Sequence, residues 1–326
     1  SLNVSDFFNT LNLVSINVDD NNNYFSSFNG VLFNKDKTIL IKYPSQKIDL
    51  SYVIPISVNR ISPNAFENAN NLESITFDPY SIIEVISVQA FANALSVKDV
   101  VIPQSVTKID DEAFRGTLNL SYIFIPNSVV IIGKFAFVSS GLEKIVFEET
   151  SSLKTIDQGA FQGSALLGSV VLPYNLEYIG GAAFARVYQL NSIYIPETVL
   201  YIKENAFFSD LIIDTIIYSS SSSQPESWDS NWNPNNFDVV WNFVVIYNEI
   251  VHISTVYKEI INLHLLDKTQ FQEYLLDEIV AGYTANRTVE LIRKKQILDD
   301  DISVFRLFDD INEFHAEHKI DLILIK

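Results

Sequence analysis

The sequence predicts an α/β repeat solenoid, a ladder of parallel strands joined by short helical turns, followed by a small mainly α C-terminal domain. Three observations carry that prediction. The phrase Ile-x-x-x-Ala-Phe occurs seven times, at Ile61/Ala65/Phe66, Ile86/Ala90/Phe91, Ile109/Ala113/Phe114, Ile132/Ala136/Phe137, Ile156/Ala160/Phe161, Ile179/Ala183/Phe184 and Ile202/Ala206/Phe207. The Ala-to-Ala intervals are 25, 23, 23, 24, 23 and 23 residues, and a fixed period of that length marks coils that bury their apolar sides only against one another. Each copy closes on a short apolar strand, and the rhythm ends after Tyr218.

Composition bounds the function. A hydrophobic content of 48% is ample for a continuous core, and a net charge of -18 argues against binding a phosphate backbone or an anionic membrane surface. No window approaches the ~18 uninterrupted apolar residues of a membrane span, so no direct membrane insertion is expected. Cysteine is absent, which removes disulfides, thiolate metal sites and cysteine nucleophiles, and methionine is absent even at position 1.

In chain order, Leu2, Asp6-Phe7, Leu13 and Ile16-Asn17-Val18 sit at the offsets of Ile61, Ala65-Phe66, Leu72 and Ile75-Thr76-Phe77, so the sequence is expected to open partway through a repeat. Residues 19–50 break the rhythm, and the apolar runs Val31–Phe33 and Ile39–Ile41 around Asn34-Lys-Asp-Lys37 predict a β-hairpin inserted at one edge of the array. From Ser51, prolines at 55, 103, 126, 173 and 196 end the preceding strands, because proline cannot donate to a ladder. Small Ala beside large Phe predicts a tight helical turn with the ring inward, and stacked copies predict a phenylalanine spine. Ser219–Ser223 has linker composition, and Trp228, Trp232 and Trp241 follow as a plug for the end of the array, giving a cap over residues 219–242.

The closing strands are Ile75–Phe77, Val100–Ile102, Ile123–Ile125, Ile145–Phe147, Val170–Leu172, Ile193–Ile195 and Ile216–Tyr218. Period-two alternation sends their first and third residues inward and leaves Thr76, Val101, Phe124, Val146, Val171, Tyr194 and Ile217 facing out. All but Thr76 are apolar or aromatic, and neighbouring strands ~4.8 Å apart would line them up over roughly 29 Å. A long exposed apolar stripe marks an interaction surface. Parallel ladders also favour β-branched residues on both faces, and another part of the chain could cover the stripe, so three readings stand. The flanking row Ser74, Asp99, Tyr122, Lys144, Ser169, Ser192 and Thr215 is mostly polar, as a rim would be.

The phrase Ile-Pro-x-Ser-Val-x-x-Ile-x-x-x-Ala-Phe, well shown by Pro126–Val129 and Ile132–Phe137, resembles the BspA-type leucine-rich repeat family. The resemblance takes in the Gly30–Pro44 hairpin and Gln224–Trp241, and covers roughly residues 2–242. Members often carry Cys after Ala-Phe, where this chain has Phe91-Ala-Asn-Ala and Phe114-Arg-Gly-Thr. What the resemblance implies is a non-enzymatic, adhesin-like role at the cell surface or in secretion, binding a protein, with no catalytic residues to transfer.

Beyond residue 242, Ile250/Ile253/Tyr257/Ile260/Ile261, Phe271/Tyr274/Leu275/Ile279 and Val289/Leu291/Ile292 recur at helical spacing, so residues 243–326 are expected to form a mainly helical domain. All four histidines lie there, and His315 with His318 lacks a third ligand signature, so no metal site is assigned. Asp299-Asp300-Asp301 suits a helix start, and Arg293-Lys294-Lys295 a solvated face. Gly180-Gly181 fits no phosphate loop, and Asn3, Asn119 and Asn286 begin glycosylation sequons. The sequence thus predicts no cofactor and no catalytic centre. It predicts a protein-recognition module working through Thr76, Val101, Tyr122, Phe124, Val146, Val171, Tyr194 and Ile217, against an alternative of an intracellular (cytoplasmic) scaffold or structural subunit docking partners through residues 243–326.

Overall fold

The computed structural model describes residues 10–148, 150–246 and 249–252. Two compact units are present, one of Ser1–Ile217 with Gln224–Val239 and one of Tyr218–Ser223 with Val240–Lys326. The first is the repeat array. Each coil opens on a two-residue strand, and Val85–Ile86, Lys108–Ile109, Ile131–Ile132, Thr155–Ile156, Tyr178–Ile179 and Tyr201–Ile202 form one six-stranded sheet. Its strands are parallel and in register, Ile86 beside Ile109, then Ile132, Ile156, Ile179 and Ile202. The regular period returns each isoleucine to the same rung, where all six are fully buried.

Between opening and closing strands the sequence predicts a helical turn, and here the structure differs. Among the described residues there is no helix. The residue before each repeat alanine (Asn64, Gln89, Glu112, Phe135, Gly159, Ala182 and Asn205) has a positive φ, and so has the second residue after six of the seven phenylalanines. A left-handed residue every fourth position cannot propagate an α-helix. It produces successive tight turns instead, such as Ala65 N–H to Ser62 O at 3.2 Å and Ala90 N–H to Ser87 O at 3.0 Å. Alternate N–H groups then leave the coil and donate to the next one. Phe66 N donates to Ala90 O at 2.8 Å, Phe91 N to Ala113 O at 2.8 Å and Phe114 N to Ala136 O at 2.7 Å.

Under those turns runs the expected phenylalanine spine. Phe66, Phe91, Phe114, Phe137, Phe161, Phe184 and Phe207 stack with centroid spacings of 5.0, 5.2, 5.1, 5.3, 5.2 and 5.7 Å. Stacked pairs add ~0.5–1.5 kcal/mol each beyond the burial of the rings, so the spine is a major term along the axis. Tyr43 stacks on Phe66 at 5.2 Å at one end, and at the other Trp232 meets Phe207 edge-on at 5.7 Å with Trp228 behind it. Trp228 and Trp232 are buried, whereas Trp241 is half-buried and belongs to the second unit.

Ahead of the repeats, Phe25–Phe28, Val31–Asn34 and Ile39–Lys42 pair antiparallel in sequence, with Asn29 and Gly30 both left-handed in the tight turn between the first two. Ile39–Lys42 also pairs parallel with Arg60–Ile61, so this hairpin arm is itself a rung of the array. The coil that precedes the first Ala-Phe turn carries Lys42 and Tyr43 at the donor positions. Tyr43 N supplies Ala65 O at 2.8 Å, and the Lys42 ammonium supplies Asn64 O at 2.9 Å and Glu67 O at 3.2 Å. At the far end the needs are opposite: Asn205 N finds Asn231 O and Ser209 N finds Asn235 Oδ1, both at 2.8 Å.

In the second unit, Phe243–Ile246 and Glu249–His252 form an antiparallel pair. This corrects the helical reading at its first position, since Ile250 lies in a strand. Its ladder pairing with Val245, and that of Val251 with Val244, overrides the helical spacing. The remaining expected helices, the histidines at 264, 315 and 318, the acidic and basic runs, and Phe7 all lie outside the described residues.

Two predictions follow from the coil geometry. Gly159 has φ +62° and a Cβ there would overlap the Phe135 ring, whereas Gly163 has φ +69° but more room. Gly159→Ala is expected to cost about 1–3 kcal/mol and Gly163→Ala less, read as urea midpoints; equal losses would deny the Phe135 contact its part. Lys42 is 4% exposed, and burial, partly opposed by Glu67, pushes its ammonium down to about 8. Below pH 8 both folded and unfolded chains hold the proton and the desolvation cost is fully felt. Between pH 8 and the ordinary lysine value of 10.5 only the unfolded chain keeps it, so stability rises with pH there. Between pH 7 and 9.5 the unsubstituted chain should gain on the order of 1–2 kcal/mol relative to Lys42→Met, and parallel pH profiles would refute this.

Candidate protein-docking surface

The closing strands form three sheets: Ser51–Ile54 with Ser74–Phe77 and Asp99–Val100; Tyr122–Ile125 with Lys144–Phe147; and Val170–Val171 with Ser192–Ile195, Ile216–Ser219 and Asp238–Val240. Alternation fixes which residues face out. In Tyr122–Ile125 the inward Ile123 and Ile125 are fully buried, while Tyr122 and Phe124 are exposed.

Of the eight residues singled out in the sequence, the structure brings six into one outward row with its rim. Val101 is 61% exposed and Phe124 37%, Tyr122 is exposed beside it, and Thr76, Val146 and Val171 are half-buried. Register sets Phe124 beside Val146, Tyr122 beside Lys144, and Val171 beside Tyr194.

Two expectations are corrected. Ile217 is fully buried, because the last coil carries an extra residue: Ala183 to Ile193 is ten positions, Ala206 to Ile217 eleven. Ile217 thus takes the inward slot, Ile216 turns out to solvent, and Thr215, expected in the rim, is buried with its Oγ1 donating to Leu190 O at 2.7 Å. Tyr194 is only 7% exposed. Its strand is interior to a four-stranded sheet, with a neighbour on each side, whereas the strand of Phe124 pairs on one side only. One outward residue went unrecognised. Val53, 59% exposed, lies beside Thr76 and extends the row by a strand. The signal was present, since Ile54-Pro55 matches Ile102-Pro103 and Ile125-Pro126 at the ends of closing strands.

The rim is polar and mixed in sign. Asp99 and Lys144 are exposed, Lys98 pairs with Glu73 at 2.9 Å, and Ser192 Oγ bonds Ser169 Oγ at 2.9 Å. Among the described residues no cluster of three or more His, Cys, Asp or Glu side chains could hold a metal ion, and no helix is long and apolar enough to cross a membrane. The outward face is a row of mostly apolar side chains, spaced by the buried residues that alternate with them.

Comparison with known proteins agrees with this architecture. The model of the BspA type leucine rich repeat region matches residues 43–86 and 84–214 in six copies. Similar solved structures include the pneumococcal vaccine antigen PcpA, at 24% identity over 71% of this chain and 50% of that one, with a TM-score of 0.46. A leucine-rich repeat protein from Eubacterium ventriosum is 25% identical over 74% of this chain and 58% of its own, with a TM-score of 0.47. One from Bacteroides ovatus is 20% identical over 70% and 63%, with a TM-score of 0.48. The chain spans less than two thirds of the length of each of these structures. No curated protein matches it. With the family model covering more than half of the sequence, the chain belongs to the BspA-type leucine-rich repeat family.

Proposed function

We propose that this chain is a non-enzymatic, adhesin-like recognition module that docks another protein on the outward row of its closing strands, at the cell surface or after secretion. One observation carries the reading: Val53, Val101 and Phe124 stand exposed on the same face of successive coils, with Thr76 between them and Tyr122 at the edge. Val146 and Val171 continue the row, and Tyr194 and Ile217 are left out of it by their burial. A rigid strand ladder loses little side-chain freedom on binding, and an aromatic anchor within an apolar row and polar rim is the layout of a binding hot spot.

Burying a Val or Phe side chain is worth about 1.5–3 kcal/mol. Val101→Glu with Phe124→Glu should therefore weaken capture of a partner from extracellular-matrix extract on the order of a hundredfold, with the melting curve nearly unchanged. Tyr194→Glu, in contrast, should unfold the array at lower temperature. If Val101→Glu and Phe124→Glu melt the array as Tyr194→Glu does, these side chains serve the ladder and not a partner. The scaffold alternative makes the opposite demand: removal of residues 243–326 would abolish capture while the Val101/Phe124 double variant kept it.

A further inference from the structure

The extra residue of the last coil has a second effect, at the last closing strand. The lengthened loop after Phe207 forms one wall of a groove of about 450 Å³ at the end of the array, and the chain around Phe237 forms the other. Leu211, Ile212, Ile216 and Phe237 line it together with Asp214 and Asp238. Ile212 is fully exposed, and Leu211 and Ile216 are exposed as well.

The groove is braced. Ser209 N donates to Asn235 Oδ1 at 2.8 Å and Asn235 Nδ2 returns to Ser209 O at 2.7 Å, tying the two walls together. Ser209 Oγ donates to Leu211 O at 2.8 Å, and Thr215 Oγ1 pins the end of the loop to Leu190 O at 2.7 Å. On the opposite wall Asn233 exchanges bonds with Phe237 N and O at 3.1 and 2.9 Å. These bonds brace the loop with Leu211, Ile212 and Ile216 exposed.

The charge of the groove is one-sided. Asp214 lies on one wall and Asp238 on the other, neither is in an ion pair among the described residues, and no Lys or Arg lines the space. The neighbouring Asp210 by contrast is paired with Arg186 at 3.3 Å and accepts a hydrogen bond from the Tyr188 hydroxyl at 2.8 Å. A volume in the usual range for ligand sites, lined by aliphatic and polar groups with an aspartate on each wall, complements a chain segment that alternates apolar and cationic side chains.

We propose that this groove binds an extended peptide segment in which a Lys or Arg lies between aliphatic residues. The site includes neither Val53, Val101 nor Phe124, so its failure and that of the proposed docking row are distinguishable. Its test uses the full chain and a fluorescein-labelled acetyl-Leu-Lys-Leu-Arg-Leu-amide peptide, read by anisotropy. Saturable binding is expected, weakened about tenfold or more by Asp214→Asn with Asp238→Asn, and weakened also by Ile212→Ser. Asp20→Asn with Glu84→Gln removes the same charge elsewhere and should leave the affinity unchanged. Equal weakening by both double variants would reduce the effect to the net charge of the chain and overturn the proposal. So would indifference to Ile212→Ser, or displacement of the peptide by hexylamine at equal concentration, which would make the occupant a small amine.

Discussion

Everything in the array depends on one recurring hydrogen bond, from the turn N–H of a repeat phenylalanine to the alanine carbonyl of the next coil. Phe137 N to Ala160 O at 2.7 Å and Phe161 N to Ala183 O at 2.8 Å continue the series seen at Phe66, Phe91 and Phe114. This bond sets the spacing at which the rings stack and the isoleucines fall on successive rungs. A backbone polar group buried without a partner costs about 1–3 kcal/mol. Coils therefore cannot slip or separate singly, and the outward residues inherit their fixed spacing from a ladder on another side of the coil.

The left-handed residues that make this bond possible were also what the sequence concealed. At Gly116, Gly159 and Gly163 the conformation suits the residue, but at Gln89, Glu112, Phe135 and Ala182 it does not. No residue type marks the position, so Ala beside Phe read as the inside of a helical turn. The spine, the isoleucine rungs and the alternation of Tyr122–Ile125 were legible because they need only periodicity and apolarity. Ile217 was misplaced because a single added residue reverses every facing downstream of it. Tyr194 could not be foreseen as buried, since alternation gives the facing of a side chain and not what packs over it. Val53 was passed over because the first coil lacks the Ala-Phe marker, with Tyr43 holding the ring position.

The outward row is consequently uneven. It is open at Val53, Val101 and Phe124, intermediate at Val146 and Val171, and closed at Tyr194. Breaks in the closing sheets after Asp99–Val100 and after Lys144–Phe147 follow the same trend, leaving the middle coils less tightly paired on this face than the last ones.

The turn bonds all run one way, from each coil to its successor, and the first and last Ala-Phe turns are met by unlike chemistry: an ammonium at Lys42, amide oxygens at Asn231 and Asn235. A stack built on this bond has a sense, as a zip fastener has. Inserting or deleting whole coils in the middle preserves it, but the end pieces are not interchangeable. The same asymmetry means that two such stacks could be spliced in tandem and never face to face.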